Sequence, residues 1–486
     1  MKTIIKKVIF FYTFLLYATS ILQCQNSFQG FINNWIKHDD LVNSSISLSV
    51  FDVKNTSYIG GINSKKALIP ASSLKVIPTL LIYEKLGPDY KFSTKLAYSV
   101  SIDNRGILNG NLFIIGSGDP SFGSDRFRGY ADKDSLLSLI VSKIQSKGIT
   151  CIDGNVYVVS NIFDNSNVAD TWQWNDLSNY YATGTWGLNY NENKFTISWN
   201  TNQKIGQKVE YFSSNPAIPN LKIEIDATVG PKESGDKSYI IGASDQLKKK
   251  IIGTLPQSKS PIKTQCTLPH PPLFFAQTLY KRLHNLGYNP CSFAVIDHQT
   301  KLNPIIFDSI RSPKLIDLVR ETNHKSLNTY CDAFLKHLGI NGNNQGNYID
   351  GLSYIDEYLR KLEFDKSAYK LYDGSGLSSR SFITTEALAK FLIHFIEKYN
   401  ISTLQYILPQ AGKDGSVKSL LQNSSAQTHI WVKSGSMENI QSYTGVCQAK
   451  SGKWISFSLI INHFTVTHKE LRNHLDVLLA SIYEYN

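Results

Sequence analysis

The two ends of this chain carry one kind of structure and its long middle carries another, and that arrangement constrains the fold more than any single motif. Near the start, Ile46, Leu48 and Val50 alternate with serines, the period-two pattern of a half-buried strand, and Asn55-Thr56 supplies a turn into Tyr58-Ile59-Gly60. Near the end come three strand-like segments at 430–432, 443–449 and 454–461, the last two joined by a Ser451-Gly452 turn. A final helix then sets Leu471, Leu475, Leu478, Leu479 and Ile482 on one face. Between about 95 and 310 the texture differs. Short β-rich segments such as Leu112–Ile115 and Val156–Val159 alternate there with turns rich in Asn, Gly, Ser and Asp. Strands from the two ends can share one sheet only if this middle is looped out. The expectation is an α+β fold: an antiparallel sheet with packed helices, built from 25–94 and 311–486. A large, separable, β-rich insert of one or two domains would occupy 95–310.

Helical segments fall in the end regions. One runs from Ser72 to Ile82, closes near Gly87-Pro88 and is expected to bend at Pro78, which lacks a backbone donor. A second occupies 326–338, with Leu327, Tyr330, Cys331, Phe334, Leu335 and Leu338 at helical spacing and Gly339 as its stop. A third covers Thr385–Tyr399.

The first two dozen residues read as a signal peptide, 1–24. Lys2, Lys6 and Lys7 form a positive start, and the apolar stretch 8–21 is 14 residues long, short for a membrane span. Cleavage after Ser20 or Cys24 fits the flanking residues. Lipid anchoring through Cys24, with loose membrane association, is the lesser alternative, because Gln23 stands where a small residue is expected. Export to the cell envelope is the conclusion, and the periplasm the expected compartment. Subtracting the leader's three lysines from the formal net charge of +11 leaves +8, scattered as a solvated surface. No nucleic-acid-binding module appears. With 42% hydrophobic and 18% charged residues, the chain is neither disordered nor short of core. The five cysteines outside the leader read as buried thiols, since an odd number cannot all pair within the chain. Without a CxxC or HExxH pattern no metal site is expected, and no cofactor.

An exported chain of this kind invites a search for a nucleophile. There is no G-x-S-x-G elbow. Ser-x-x-Lys occurs at Ser72/Lys75, and by chance at Ser234/Lys237, Ser260/Lys263 and Ser367/Lys370. Only Ser72 opens a helix directly after Pro70-Ala71, where a lysine three residues on can reach the hydroxyl. Two further pieces follow in order: Ser326-Leu327-Asn328 at a helix start, and Lys433-Ser434-Gly435-Ser436, which ends one strand and precedes another.

Together these resemble the Ser-x-x-Lys, Ser-x-Asn and Lys-Thr/Ser-Gly signature of serine β-lactamases and penicillin-binding proteins. The 254 residues from Ser72 to Ser326 exceed what a compact β-lactamase holds there. An insert of this size is similar to the S13 peptidase family, the penicillin-binding protein 4-like, low-molecular-mass class C group. Gly116-Ser117-Gly118-Asp119-Pro120, Gly154-Asn155-Val156-Tyr157, Asn179-Tyr180-Tyr181, the stretch 188–193, the stretch 373–378 and Leu408-Pro409-Gln410-Ala411-Gly412 resemble that family too. Asp373-Gly374-Ser375-Gly376 reads as a tight turn before a helix, with a role in shaping the active-site rim as the alternative, and Trp172, Trp174 and Trp186 read as insert core rather than a glycan platform.

The resemblance implies a serine β-lactamase/DD-peptidase-like core and a serine-type D-Ala-D-Ala carboxypeptidase, with DD-endopeptidase action on peptidoglycan stem peptides. It implies covalent binding of penicillin and other β-lactam antibiotics. Ser72 would be the nucleophile, Lys75 the general base and Ser326 the proton relay. Asn328, Lys433, Ser434, Gly435 and Ser436 would bind substrate, with the N–H groups of Ser72 and Ser436 as oxyanion hole. A β-lactamase on the same fold and a non-catalytic peptidoglycan-binding scaffold are the competing readings.

Overall fold

The computed structural model describes residues 27–342 and 344–486; the leader 1–24, with its cleavage positions and Cys24, lies outside the described residues. At the centre stands a five-stranded antiparallel sheet in the order Ser57–Ile62, Ser45–Asp52, Trp454–Asn462, Ile440–Gln448 and Ile430–Met437. Ser45–Asp52 pairs with Trp454–Asn462 along its whole length, from Ser45 opposite Asn462 to Asp52 opposite Ile455. The two ends of the chain therefore meet in the middle of one sheet, and the fold is α+β.

Helices cover both faces. On one, Phe28–Trp35 and His468–Glu484 bury Phe28, Ile32, Leu471 and Leu475 against Leu48, Val50, Tyr443 and Phe457. Asp40 Oδ2 lies 2.8 Å from His474 Nε2, tying the segment after the first helix to the last one. On the other face lie Val76–Leu86, Asn328–Gly339, Tyr348–Lys361 and Thr385–Tyr399, around Leu80, Phe334, Leu388, Val446 and Ile460. The Ser/apolar alternation at 46–50 does not mark a half-buried strand, because Ser47 and Ser49 are buried as well. Both hydroxyls lie 2.8 Å from Thr385 Oγ1, and Ser456 Oγ donates to Ala389 O at 2.8 Å. Small hydroxyl residues let Thr385–Tyr399 lie close on the sheet, so the alternation records side-chain size and polarity, not exposure.

The middle of the chain leaves and returns through one neck. Phe92 N–H donates to Ser312 Oγ and Ser312 N–H to Phe92 O, each at 2.9 Å. Ser93–Tyr98 and Ile305–Arg311 then pair antiparallel at the edge of a mixed sheet. Its order is Phe293–Ile296, Val156–Val159, Leu112–Ile115, Ser93–Tyr98, Ile305–Arg311. The β-rich texture conceals two full helices, Lys133–Ser146 and Pro271–Asn285, which bury Leu136, Ile140, Phe275 and Leu279 against this sheet. Three smaller sheets complete the region, one around Lys194–Thr201, one around Lys248–Pro256 and a short one joining Ser101–Ile102, Ile107–Asn109 and Cys151–Asp153.

Part of the middle does not stay with its own core. Ala169, Trp172 and Ala182 are buried in the cluster that holds Leu74, Tyr330 and Phe334. The three tryptophans accordingly form no group: Trp172 packs with Leu74, Tyr330 and Phe334, Trp174 is 58% exposed, and Trp186 is buried beside the His270 ring. All five described cysteines are free thiols; Cys266, Cys331 and Cys447 are buried, whereas Cys151 is half-buried and Cys291 exposed. Among the described residues no helix is long and apolar enough to cross a membrane.

Candidate active site

The turn Pro70-Ala71 delivers Ser72. Ala71 takes a left-handed φ of 48° and opens a 3₁₀ helix, Ala71–Lys75, which passes into the α-helix Val76–Leu86. Pro78 thus falls in the first α-turn, where a backbone N–H has no intrahelical acceptor in any case, and the helix type changes at Lys75/Val76 ahead of the expected bend. One tight turn sets Lys75 Nζ 2.7 Å from Ser72 Oγ. The same ammonium donates to Ser375 O at 2.6 Å. Lys75 is fully buried, and desolvation lowers its pKa against the opposing pull of Cys331, Asp332 and Asp373.

Ser326 lies at an elbow, not in a helix. It closes Leu315–Lys325, a helix the sequence reading missed, with φ 57° and ψ 45°, and Asn328 begins Asn328–Gly339. A left-handed serine costs roughly 1–2 kcal/mol and occurs where a side chain must be aimed. Asn328 Nδ2 donates to Tyr181 O at 2.7 Å, so the middle of the chain reaches this motif.

As expected, the Lys433-Ser434-Gly435-Ser436 run ends a strand, Ile430–Met437 at the edge of the sheet, and precedes another, Ile440–Gln448. Lys433 Nζ donates to Ser326 Oγ at 3.1 Å and to Ser434 O at 2.6 Å. Ser434 Oγ lies 2.7 Å from Ser416 Oγ, and Ser436 is exposed at the rim. Gly435 has no room for a side chain: a Cβ there would stand 2.7 Å from both Ser72 N and Pro70 O. The edge strand is therefore pressed against the turn that carries Ser72. Ser442 Oγ secures the contact by donating to Pro70 O at 2.5 Å.

Beside Ser326 and Asn328 opens a cleft of about 110 Å³, walled on its far side by Arg126, Tyr180, Tyr181, Glu192 and Lys194. Burial would raise the Glu192 carboxyl, but Lys194 at 2.7 Å and Arg126 at 2.5 Å hold it at about 2. Behind Lys75, burial and then Asp373 push Asp332 up to about 7. Asp332 and Ser416 escaped the sequence reading as site residues. The turn at 373–376 was visible, but nothing in sequence tells that its carbonyl meets a lysine 300 positions away.

The structure thus gathers the three motifs into one site, as two linked pairs, Ser72 with Lys75 and Ser326 with Lys433, joined where Gly435 touches Ser72. The profile of the D-Ala-D-Ala carboxypeptidase 3 (S13) family matches residues 29–482. The chain belongs to that family. Among relatives, it is 22% identical over 430 residues to D-alanyl-D-alanine carboxypeptidase DacB of Haemophilus influenzae, covering 87% of this chain and 86% of that one. It is 25% identical over 467 residues to penicillin-sensitive carboxypeptidase A of Dictyostelium discoideum, covering 88% and 84%. Its fold resembles the crystal structure of penicillin-binding protein 4 from Haemophilus influenzae, with a TM-score of 0.78, 20% identity and coverage of 93% and 99%. The family thereby accounts for the sheet, the helices and the long interruption between the first two motifs.

Proposed function

We propose that the serine-type D-Ala-D-Ala carboxypeptidase activity of the family is carried here by Ser72, with Lys75 as general base. The observation that carries this is the Ser72–Lys75 pair. A hydroxyl lies 2.7 Å from an amine whose burial disfavours the ammonium, so the amine is prepared to take the hydroxyl proton. Ser72 Oγ attacks the carbonyl of the penultimate D-Ala, and the proton passes to the leaving amine through Ser326. Hydrolysis of the resulting acyl-enzyme completes the cycle. Cutting a cross-link is the same acyl transfer with a different leaving amine, which extends the activity to DD-endopeptidase action on peptidoglycan.

Lys433 and Ser434 bind the terminal carboxylate of the stem peptide, or that of a β-lactam, while Asn328 and the edge strand at Gly435 and Ser436 hold its backbone. Burial and the neighbouring Lys75 lower the Lys433 pKa well below the ordinary lysine value, and among the described residues no carboxylate acts on it to offset them. An arriving carboxylate supplies that missing counter-ion and recharges the amine, so substrate completes the electrostatics of its own site. The N–H groups of Ser72 and Ser436 serve as the oxyanion hole.

The catalytic domain comprises 25–94 and 311–486, with 95–310 inserted; pairing of the chain ends and the neck at Phe92 and Ser312 support this division. The positive, apolar leader supports export to the periplasm, with peptidoglycan as the macromolecular partner. The test is release of D-Ala from a D-Ala-D-Ala peptide by purified protein, alongside labelling with a fluorescent penicillin. Ser72→Ala is expected to abolish both while keeping the fold. Activity that persists in that variant would overturn the assignment.

A further inference from the structure

Asp373 is a buried carboxylate surrounded by donors. Its Oδ1 accepts from Gly376 N–H at 3.0 Å, and its Oδ2 from Ser378 N–H at 2.8 Å, Ser375 Oγ at 3.2 Å and the Trp172 indole N–H at 2.9 Å. The first three belong to the same short turn, 374–378. The fourth comes from 201 residues earlier, in the middle of the chain. A second carboxyl grips the turn from behind, with Asp332 Oδ1 accepting from Gly374 N–H at 2.8 Å. The turn so held does one thing at the site: its Ser375 carbonyl accepts the Lys75 ammonium at 2.6 Å, opposite the bond from Lys75 to Ser72. It also abuts the nucleophile's own turn. Gly376 has φ 73°, and a Cβ there would stand 2.0 Å from Ala71 O.

We infer that Trp172 is a positioning residue for catalysis, holding Lys75 in line with Ser72 through Asp373 and the Ser375 carbonyl. The inference rests on reading Ser72 and Lys75 as nucleophile and base, and adds to it that the region 95–310 supplies part of the apparatus. A buried carboxylate needs all its donors. Removing the indole N–H leaves Asp373 short of one, and the turn relaxes toward whatever replaces it. The Ser375 carbonyl moves with the turn, and Lys75 loses the second of the two anchors that fix its amine. Because chemistry is sensitive to sub-ångström placement of a general base, the acylation step suffers before binding does. Excising 95–310 would therefore do more than remove a neighbouring module; it would also take a hydrogen bond from behind the catalytic lysine.

Charge runs along the same path. Lys75 is faced by Cys331 and Asp332 from Asn328–Gly339, by Asp373 from the turn and by Lys433 from the edge strand. Asp373 favours the ammonium, so neutralising it makes the free amine available at lower pH.

The test compares full-length wild type, Trp172→Phe and Asp373→Asn for penicillin acylation by rapid mixing across pH, with a thermal melt of each. Trp172→Phe keeps an aromatic ring in the pocket and deletes only the donor. It is expected to slow the acylation step about tenfold with the concentration for half-saturation unchanged. Asp373→Asn is expected to move the acid limb of the acylation profile to lower pH, a shift that a merely structural role would not produce. Acylation of Trp172→Phe at the wild-type rate, or an unmoved acid limb in Asp373→Asn, would refute the clamp. Wild-type acylation at Ser72 in the same series reports on the nucleophile separately, so failure of the clamp leaves that assignment standing.

Discussion

Gly435→Ala isolates the contact on which the site depends, because φ at this position is ordinary and the whole effect is steric. The added Cβ would stand 2.3 Å from Ser442 Oγ and 2.7 Å from Pro70 O and Ser72 N, whereas ordinary contact begins near 3.4 Å. The edge strand and the nucleophile's turn must therefore separate by roughly 0.7 Å, and overpacking of this kind costs about 1–3 kcal/mol. Displacement on that scale misplaces Ser72 against Lys75 and the oxyanion donors, where an error near 1 Å costs on the order of 10²-fold in rate. The control is Gly445→Ala. Its Cβ meets Trp431 O at 2.1 Å and Val432 Cα at 2.7 Å, crowding the same two strands away from Ser72. Both variants should melt earlier than wild type, by comparable amounts. Only Gly435→Ala should lose penicillin acylation, by about 10- to 100-fold, in a stopped-flow measurement on folded protein. Equal losses in the two variants, or wild-type acylation by Gly435→Ala, would refute the claim that the strand positions the nucleophile.

Three further outcomes are expected. Lys433→Ala should weaken ligands that carry a terminal carboxylate by about 10- to 100-fold, the worth of a charge-assisted hydrogen bond, and spare their carboxamide analogues in a competition assay. Burial pushes the His337 pKa down to about 3, so between pH 6.5 and 3 the unfolded chain binds the extra proton and stability falls as pH falls, by up to about 1.4 kcal/mol per pH unit. Denaturant midpoints of His337→Gln should show a shallower slope in that window, and an unchanged slope would contradict the assignment. Release of bound penicillin should be slow, minutes or longer, beside steady turnover of a D-Ala-D-Ala peptide, because no glutamate between the second and third motifs stands ready to activate water. Glu357 and Glu386 pair with Lys361 and Lys390, and Glu363 and Glu397 are exposed. A chase experiment in which penicillin turns over faster than peptide would make the chain a β-lactamase.

The catalytic motifs were legible because each is a local spacing: Ser72 and Lys75 are one turn apart, and Lys433 to Ser436 are contiguous. The pairing of the chain ends was legible too, from strand patterns flanking a different texture. What escaped depended on contacts distant in sequence. Ser47 and Ser49 looked exposed because a serine carries no sign of the helix lying over it. The helix Leu315–Lys325 escaped because its buried positions include Thr322, Asn323 and His324, which do not read as an apolar stripe. Trp172 sits among insert residues, and nothing local reveals that its indole N–H ends on Asp373.

The most direct test of the account is peptide mapping of the protein after reaction with penicillin, by tandem mass spectrometry at saturating and at stoichiometric antibiotic. A single penicilloyl adduct on Ser72, absent from Lys75→Ala under the same conditions, is the predicted result. An adduct on any other serine, or turnover of a D-Ala-D-Ala peptide by protein that never forms one, would contradict it.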